Sequence, residues 1–386
     1  MECQPKDVSK KLDRVEQISQ TLLPANNNLE DLIQTYSSNF PVKKAKTIIK
    51  SHGDGFQVIL TGSTGYLGYY FLKALIADSK VARIVCFDRS EAEKDFIAEF
   101  GDLDGAQKVQ FVKTSFVDFN LPIESFEKVH IAGVRNFIDW SLLSPRKVTI
   151  QFMSSLGSLA SWPSFRPKTP VSEHIFTDSN LPMLGYGQSK FLAENILNNA
   201  AETHGISVDV LRCGQIGGPS GDGKKQWNAR DWFPILLQTS KALGLVPSDL
   251  GAQDLIQWIP ADSVSQIIVE LMHGSDTREG LTTFNLINPK FVKWSDLVLG
   301  VKQILGVTKE VSLQDWLIEL KKHDATSSDD LEKFPALKLL GFFEWVANEE
   351  RLVMITENAQ VASPSFRDLA PINDEMIGRW VKDWDF

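Results

Sequence analysis

From residue 56 onward, short apolar runs alternate with stretches of helical spacing. Gln57–Leu60, Ala82–Asp88 (ARIVCFD), Val109–Lys113 (VQFVK), Val148–Met153 (VTIQFM) and Val208–Leu211 (VDVL) have the length of strands buried on both faces. Tyr66–Ala77, Glu91–Phe100, Ile123–Leu143 and Tyr186–His204 repeat apolar residues at i, i+3 and i+4, which predicts helices between those strands. Such alternation predicts the α/β class, a Rossmann-type doubly wound parallel sheet. After Gly214 the texture changes. Gly217–Gly223 is a loop signal, Trp227–Leu250 is aromatic and mixed, Ile259–His273 returns to helix and Thr283–Ile287 to strand. From Lys293 the pattern is mostly helical, with Trp294, Trp316 and Trp345 inside it, and amphipathic Asn373–Trp384 closes the chain. In residues 1–50, Leu12, Val15, Ile18 and Leu22, then Leu29, Leu32 and Ile33, fall at helical spacing within a polar segment. Periodicity leaves a helical lead-in and a solvated tail equally open there.

Composition narrows the class. The 386 residues are 43% hydrophobic and 23% charged, an ordinary globular mix able to bury a sizeable core. A net charge of −9 argues against nucleic acid as a partner. No apolar run approaches the ~20 residues of a membrane helix, and the start lacks the apolar region of a signal peptide. Cys3, Cys86 and Cys213 form no CxxC pair, which fits a reducing, cytoplasmic setting. His52, His130, His174, His204, His273 and His323 lack metal-ligand spacing, so no metal is expected.

The first strand ends in Thr61-Gly62-Ser63-Thr64-Gly65-Tyr66-Leu67-Gly68, a T-G-x-x-G-x-x-G turn into a helix. Gly62 allows the turn off the strand, Gly65 lets backbone N–H groups approach a pyrophosphate, and Gly68 lets the helix pack close. Strand and helix context favour a dinucleotide site over a merely structural glycine turn. Twenty residues past Gly68 stands Asp88, which would take the ribose hydroxyls of NAD or pair locally, followed by Arg89, which suits the extra phosphate of NADP. Arg89 makes NADPH the expected cofactor, with NADH second.

Of the five tyrosines, only Tyr186 has a lysine four residues on, in Tyr186-Gly187-Gln188-Ser189-Lys190. On a helix the two share a face. The lysine charge would lower the tyrosine pKa, and Tyr186 would exchange a proton with a carbonyl oxygen while hydride moves at carbon. The Val148 strand ends in Ser154-Ser155, at the sheet edge where ligands bind in open α/β folds. One of these serines can serve a developing oxyanion, and the other is expected to cap the strand end.

With these motifs in place the chain resembles the extended short-chain dehydrogenase/reductase superfamily. Within it, the chain is similar to the thioester reductase (R) domains of nonribosomal-peptide-synthetase-like enzymes and carboxylic acid reductases of secondary metabolism, fungal type. The motifs are TGSTGYLG, FMSSLGS (Phe152–Ser158), YGQSK, LRCGQIGGP (Leu211–Pro219), Trp227-Asn228, Trp258-Ile259-Pro260 and FNLINP (Phe284–Pro289). The likeness runs from about Phe40 to Phe386. It implies a catalytic set of Ser155, Tyr186 and Lys190. It also implies cofactor contacts at Thr61–Gly68, Asp88, Arg89, Tyr186, Lys190 and Gln215. The implied activity is NAD(P)H-dependent reduction of an acyl thioester to an aldehyde, and on to an alcohol if a second hydride follows. The small-molecule acyl group would ride on the phosphopantetheine arm of an acyl or peptidyl carrier protein supplied in trans, or on CoA, with neither nucleic acid nor membrane as partner. The implied organisation is an N-terminal helical linker (1–50), an NAD(P)-binding Rossmann-type domain (51–292, of which 217–258 contributes to the substrate side) and a smaller, mostly helical C-terminal substrate subdomain (293–386). A reductase of free aldehydes or ketones, and a degenerate reductase of little activity, are the alternatives.

One departure stands out. Family members carry a further helix and a fourth strand after the third, whereas here Val109–Phe116 runs almost directly into Val117–Asn120 and a helix from Ile123. The fourth strand is expected to be missing. The connecting stretch of about eight residues reaches about 27 Å at ~3.4 Å per residue, against about 14 Å for a crossing of three strands spaced ~4.8 Å apart. The chain can therefore cross only over the rim where the cofactor sits. Weakened cofactor binding is expected, or an altered sheet order with the Val148 strand moved inward. Asp222–Lys225, with Trp227 and Asn228, is a candidate substrate lid or a plain surface loop. The C-terminal tryptophans are expected in the core rather than along an acyl channel.

Overall fold

The computed structural model describes residues 29–44, 55–88, 93–113, 131–384 and 386. Its principal strands form two parallel half-sheets. The first contains β1 (Phe56–Thr61), β2 (Val81–Asp88) and β3 (Val109–Lys113), in the order β3-β2-β1. The second contains β4 (Thr149–Ser155), β5 (Ser207–Cys213) and β6 (Leu281–Leu286), in the order β4-β5-β6. Each strand overlaps the apolar run that predicts it, because these segments have too few polar residues to face water on either side.

Among the described residues no strand pairs with the second edge of β1 or with the free edge of β4, and β4 has not moved inward to pair with β1. Burial follows this pattern. All seven positions of β5, flanked on both edges, are buried. In β1 only Leu60 is buried and in β4 only Ser154. The expected break at Val117–Leu121 lies outside the described residues, as do Arg89 and the helical spacing of Leu12–Leu22.

Helix packing joins the half-sheets. α2 (Tyr66–Ala77) lies against α7 (Ala261–Gly274). Val269 and Met272 of α7 enter the core built by Leu60, Leu72, Leu75, Ile76 and Ile84, while Val264, Ile267, Ile268 and Leu271 enter the core of β5 and β6. One helix thus serves two cores, which explains its wide apolar face. Each fully buried aliphatic side chain contributes about 1.5–3 kcal/mol relative to exposure.

Residues 29–44 are fastened to the α/β core. Leu29 of α1 (Leu29–Tyr36) packs with Phe191 and Ile196 of α5 (Leu184–His204), beside α4 (Ala132–Leu143). Arg135 of α4 donates to the carbonyls of Tyr36 (3.0 Å), Ser38 (2.6 Å) and Asn39 (2.8 Å) and lies over the Phe40 ring.

The tryptophans are core residues. Trp227 and Trp258 pack with Phe233 of α6 (Trp232–Leu243), Trp294 of α8 (Trp294–Leu305), Trp316 of α9 (Leu313–Leu320), Phe343 of α10 (Leu340–Asn348) and Trp380 of α12 (Asp374–Trp384). Residues 227–258 therefore share one core with the C-terminal helices. A buried carboxylate adds a second tie. Glu173 accepts backbone N–H groups of Asn285 (3.0 Å), Asn358 (2.5 Å) and Ala359 (3.3 Å), joining β6 to α11 (Glu357–Ala362). Burial nonetheless pushes the Glu173 pKa up.

Candidate active site

Leu67 of the turn after β1 and Met153 near the end of β4 pack against one core, which brings the two strand ends into the same region. The glycine turn has the shape its sequence predicts. Gly62 takes φ +75°, a left-handed conformation that favours glycine. A Cβ on Gly68 would overlap the Gly62 carbonyl, so only glycine lets α2 start this close to the turn. No side chain caps the N-terminus of α2, and Thr61, Gly62, Thr64 and Gly65 are exposed. Backbone donors there are open to an anion. The side chains of Tyr66 and Leu67 turn away from this cradle. The Tyr66 hydroxyl donates to Gly217 O (2.8 Å) and Leu67 packs into the core, so only their backbone could serve a cofactor. Asp88 pairs locally, accepting the Ser63 hydroxyl, with both residues buried.

The structure brings Ser155, Tyr186 and Lys190 together. Ser155 and Tyr186 both flank Gly157, whose N–H donates to Ser155 Oγ (3.1 Å). Lys190 Nζ donates to Met153 O (2.8 Å) and lies 4.9 Å from the Phe152 ring centre and 5.5 Å from that of Tyr186. The first turn of α5 can reach Ser155 because Gly187 meets Gly157 closely; a Cβ on Gly187 would overlap the Gly157 carbonyl. Tyr186 is 52% exposed, so substrate can reach it.

The electrostatics correct one expectation. Close packing around the Tyr186 hydroxyl, on a ring otherwise half exposed, pushes its pKa up, with Ser155 opposing, so the hydroxyl is protonated at neutral pH. Burial is also the largest influence on Lys190, whose pKa falls to about 8 against the raising effect of Glu194. Cys213, beside Lys190, is pushed up to about 12 by burial.

The expected division of one reacting and one capping serine does not hold, because Ser155 itself caps the turn after β4. Ser154 is buried and donates its hydroxyl to Glu194. Glu194 also pairs with Arg212 (2.6 Å), both buried, and accepts from Ser158 (3.0 Å). These partners were not singled out from sequence. The four-residue step from Tyr186 to Lys190 continues to Glu194 and was the available signal.

Gln215 stands just beyond β5. Its Oε1 accepts from Trp232 Nε1 (2.8 Å) and its Nε2 donates to Ile216 O (3.0 Å), which commits its side chain to the protein. The candidate lid is pinned. Tyr70 donates to Lys225 O (2.5 Å), Ser220 N–H to Asp262 (2.9 Å) and Trp380 Nε1 to Pro219 O (2.9 Å), while Lys225 Nζ reaches Thr64 O (3.4 Å). The loop therefore lies against the glycine turn. No described helix is long and apolar enough to cross a membrane.

Residues 107–268 match the family model described as "Male sterility protein". The chain is similar to the carboxylic acid reductase of Neurospora crassa, 29% identical over 408 residues, covering 95% of this chain and 38% of that protein. It thus spans well under half the length of that curated relative. Among solved structures, the terminal R domain from the myxalamid PKS-NRPS biosynthetic pathway superposes with a TM-score of 0.72 at 21% identity, covering 92% of this chain and 97% of the other. A thiolation-reductase di-domain from an archaeal non-ribosomal peptide synthetase gives 0.63 at 18% identity, covering 96% and 82%. The fold that these likenesses define is that of the R domains. In sequence the chain is similar to carboxylic acid and adenylate-forming reductases over most of its length.

Proposed function

We propose that this chain reduces a thioester-bound acyl group to an aldehyde, using NADPH and the set Ser155, Tyr186 and Lys190. The observation that carries the reading is the meeting of Ser155 and Tyr186 beside Gly157, with Lys190 one turn along α5. NADPH, when bound, supplies the hydride. The glycine turn fits such a group, because its exposed backbone and uncapped helix start suit a pyrophosphate. Ser155 and Tyr186 donate hydrogen bonds to the thioester oxygen, and Tyr186 gives its proton as the oxygen gains charge. The Lys190 ammonium keeps the electrostatic surroundings favourable to that charge. The resulting thiohemiacetal loses its thiol, leaving aldehyde and free thiol. The thioester arrives on a carrier protein from another chain or another part of a longer protein, in line with relatives that are larger than this chain.

The test is NADPH oxidation with acyl-CoA thioesters and the matching aldehydes. Turnover of the thioester supports the proposal, and turnover of aldehyde alone points to a reductase of free carbonyls. No turnover with either favours a degenerate reductase. The short connection after the third strand, read from the sequence, leads us to expect weak cofactor binding, with a dissociation constant above the micromolar range by nucleotide-fluorescence titration; ordinary micromolar affinity would sink that expectation. In the same assay Gly68→Ala is expected to weaken binding by roughly tenfold or more, because a Cβ there forces α2 away from the turn. Turnover is expected to decline as pH rises through about 8, where Lys190 loses its proton. A flat profile from neutral pH to well above that value would remove Lys190 from the mechanism.

A further inference from the structure

We propose that Glu194 is a positioning residue for Ser155 and Lys190, an inference that rests on the role just given to those two residues. Tyr186, Lys190 and Glu194 follow one another at four-residue steps along α5 and so share one stripe of the helix. The Glu194 carboxylate is 1% exposed. Arg212 of β5 donates to it through Nε (3.1 Å to each oxygen) and Nη2 (2.6 Å). The Ser154 hydroxyl donates to Oε1, and the Ser158 hydroxyl lies between Oε1 (3.0 Å) and the Ser155 carbonyl (2.8 Å). Arg212 Nη1 is buried without a hydrogen-bond partner, so the pair is not ideally satisfied. A buried ion pair adds little net stability over apolar residues of equal size. Stability alone does not account for a glutamate here.

The geometry gives Glu194 two tasks. Holding the Ser154 hydroxyl fixes the end of β4, the backbone from which Ser155 projects. Ser158 braces the backbone of Ser155 from the other side. The second task concerns charge. The ionisable groups facing Lys190 are Tyr186 and Glu194 on α5 and Cys213 on β5. Close packing around the Tyr186 hydroxyl and burial of Cys213 push their pKa values up, which leaves Glu194 as the negative charge that holds the Lys190 proton near neutral pH. Arg212 faces Glu194 from β5.

The test follows Lys190 by NMR of the isotopically dimethylated protein, with its signal assigned by Lys190→Arg, alongside kcat for an acyl-CoA thioester against pH. In Glu194→Gln the Lys190 midpoint is expected to fall by about one unit or more. The alkaline limb of kcat should move to lower pH with it, while NADPH affinity holds. That variant strands the Arg212 charge, so Glu194→Gln/Arg212→Met is measured beside it and should show the same fall. Ser158→Ala should lower kcat several-fold with the Lys190 titration unchanged, separating orientation from charge. An unmoved Lys190 midpoint in either folded Glu194 variant overturns the proposal. If neither folds, parental kcat in Ser158→Ala overturns it. The titration needs no turnover, so a parent protein that reduces nothing counts against the proposed activity and leaves the Lys190 readout to judge Glu194.

Discussion

Tyr186→Phe is expected to lower kcat for thioester reduction by about 10²–10⁴-fold, the range for losing a positioned proton donor. The substitution removes one oxygen and leaves the ring. Lys190 Nζ, 5.5 Å from that ring centre, keeps its aromatic neighbour and its bond to Met153 O. Ser155 keeps the Gly157 N–H. NADPH affinity should therefore stay within about threefold, less than 1 kcal/mol. Tyr66, Tyr69 and Tyr70 cannot stand in, because their hydroxyls are spent on Gly217 O, Glu99 and Lys225 O. Single-turnover NADPH oxidation, with cofactor affinity measured separately, checks both halves. Parental turnover in the variant would exclude Tyr186 as the proton donor.

Trp380→Ala is expected to cost about 3–5 kcal/mol of unfolding free energy, measured by urea denaturation. The indole is 2% exposed and meets Trp227 edge-on at 5.4 Å. Its Nε1 donates to Pro219 O (2.9 Å), and its ring lies so close to Gly217 and Gly218 that a Cβ on Gly218 would overlap it. The substitution leaves a cavity and strands the Pro219 carbonyl. Because Trp380 clamps the loop that runs to Lys225, the variant should also lose protection from proteolysis between Gly217 and Trp227. Exposed Glu375, whose pairing with Arg379 is a surface contact, serves as control. Glu375→Ala should change stability by no more than about 1 kcal/mol. Equal stability of Trp380→Ala and parent would show that α12 does not anchor the loop.

Much of this site is local in sequence and was therefore legible. The turn Thr61–Gly68 needs only a strand end, two close backbone approaches and a helix start within one short segment. Tyr186 and Lys190 need only the periodicity of one helix. The boundaries of α2, Tyr66–Ala77, follow directly from its apolar spacing. What stayed hidden depends on residues far apart in the chain. Sequence offered two serines, and the contact of Ser154 with Glu194, forty positions away, decides between them. Lysine spacing suggested a lowered tyrosine pKa, yet close packing around the hydroxyl outweighs it. Asp222–Lys225 reads as a lid or a plain surface loop, and Tyr70, more than 140 positions away, holds Lys225 while equally distant Trp380 holds Pro219 just before it.

The amino-acid order settled the α/β class, the glycine turn and the pairing of Tyr186 with Lys190, since hydrophobic periodicity and backbone sterics act over a few residues. The assembled chain alone decided that β1 and β4 remain unpaired with each other among the described residues, and that Glu194 stands behind the reacting groups. Those outcomes depend on which surfaces exclude water together, and burial of that kind is a property of the packed whole rather than of any short stretch.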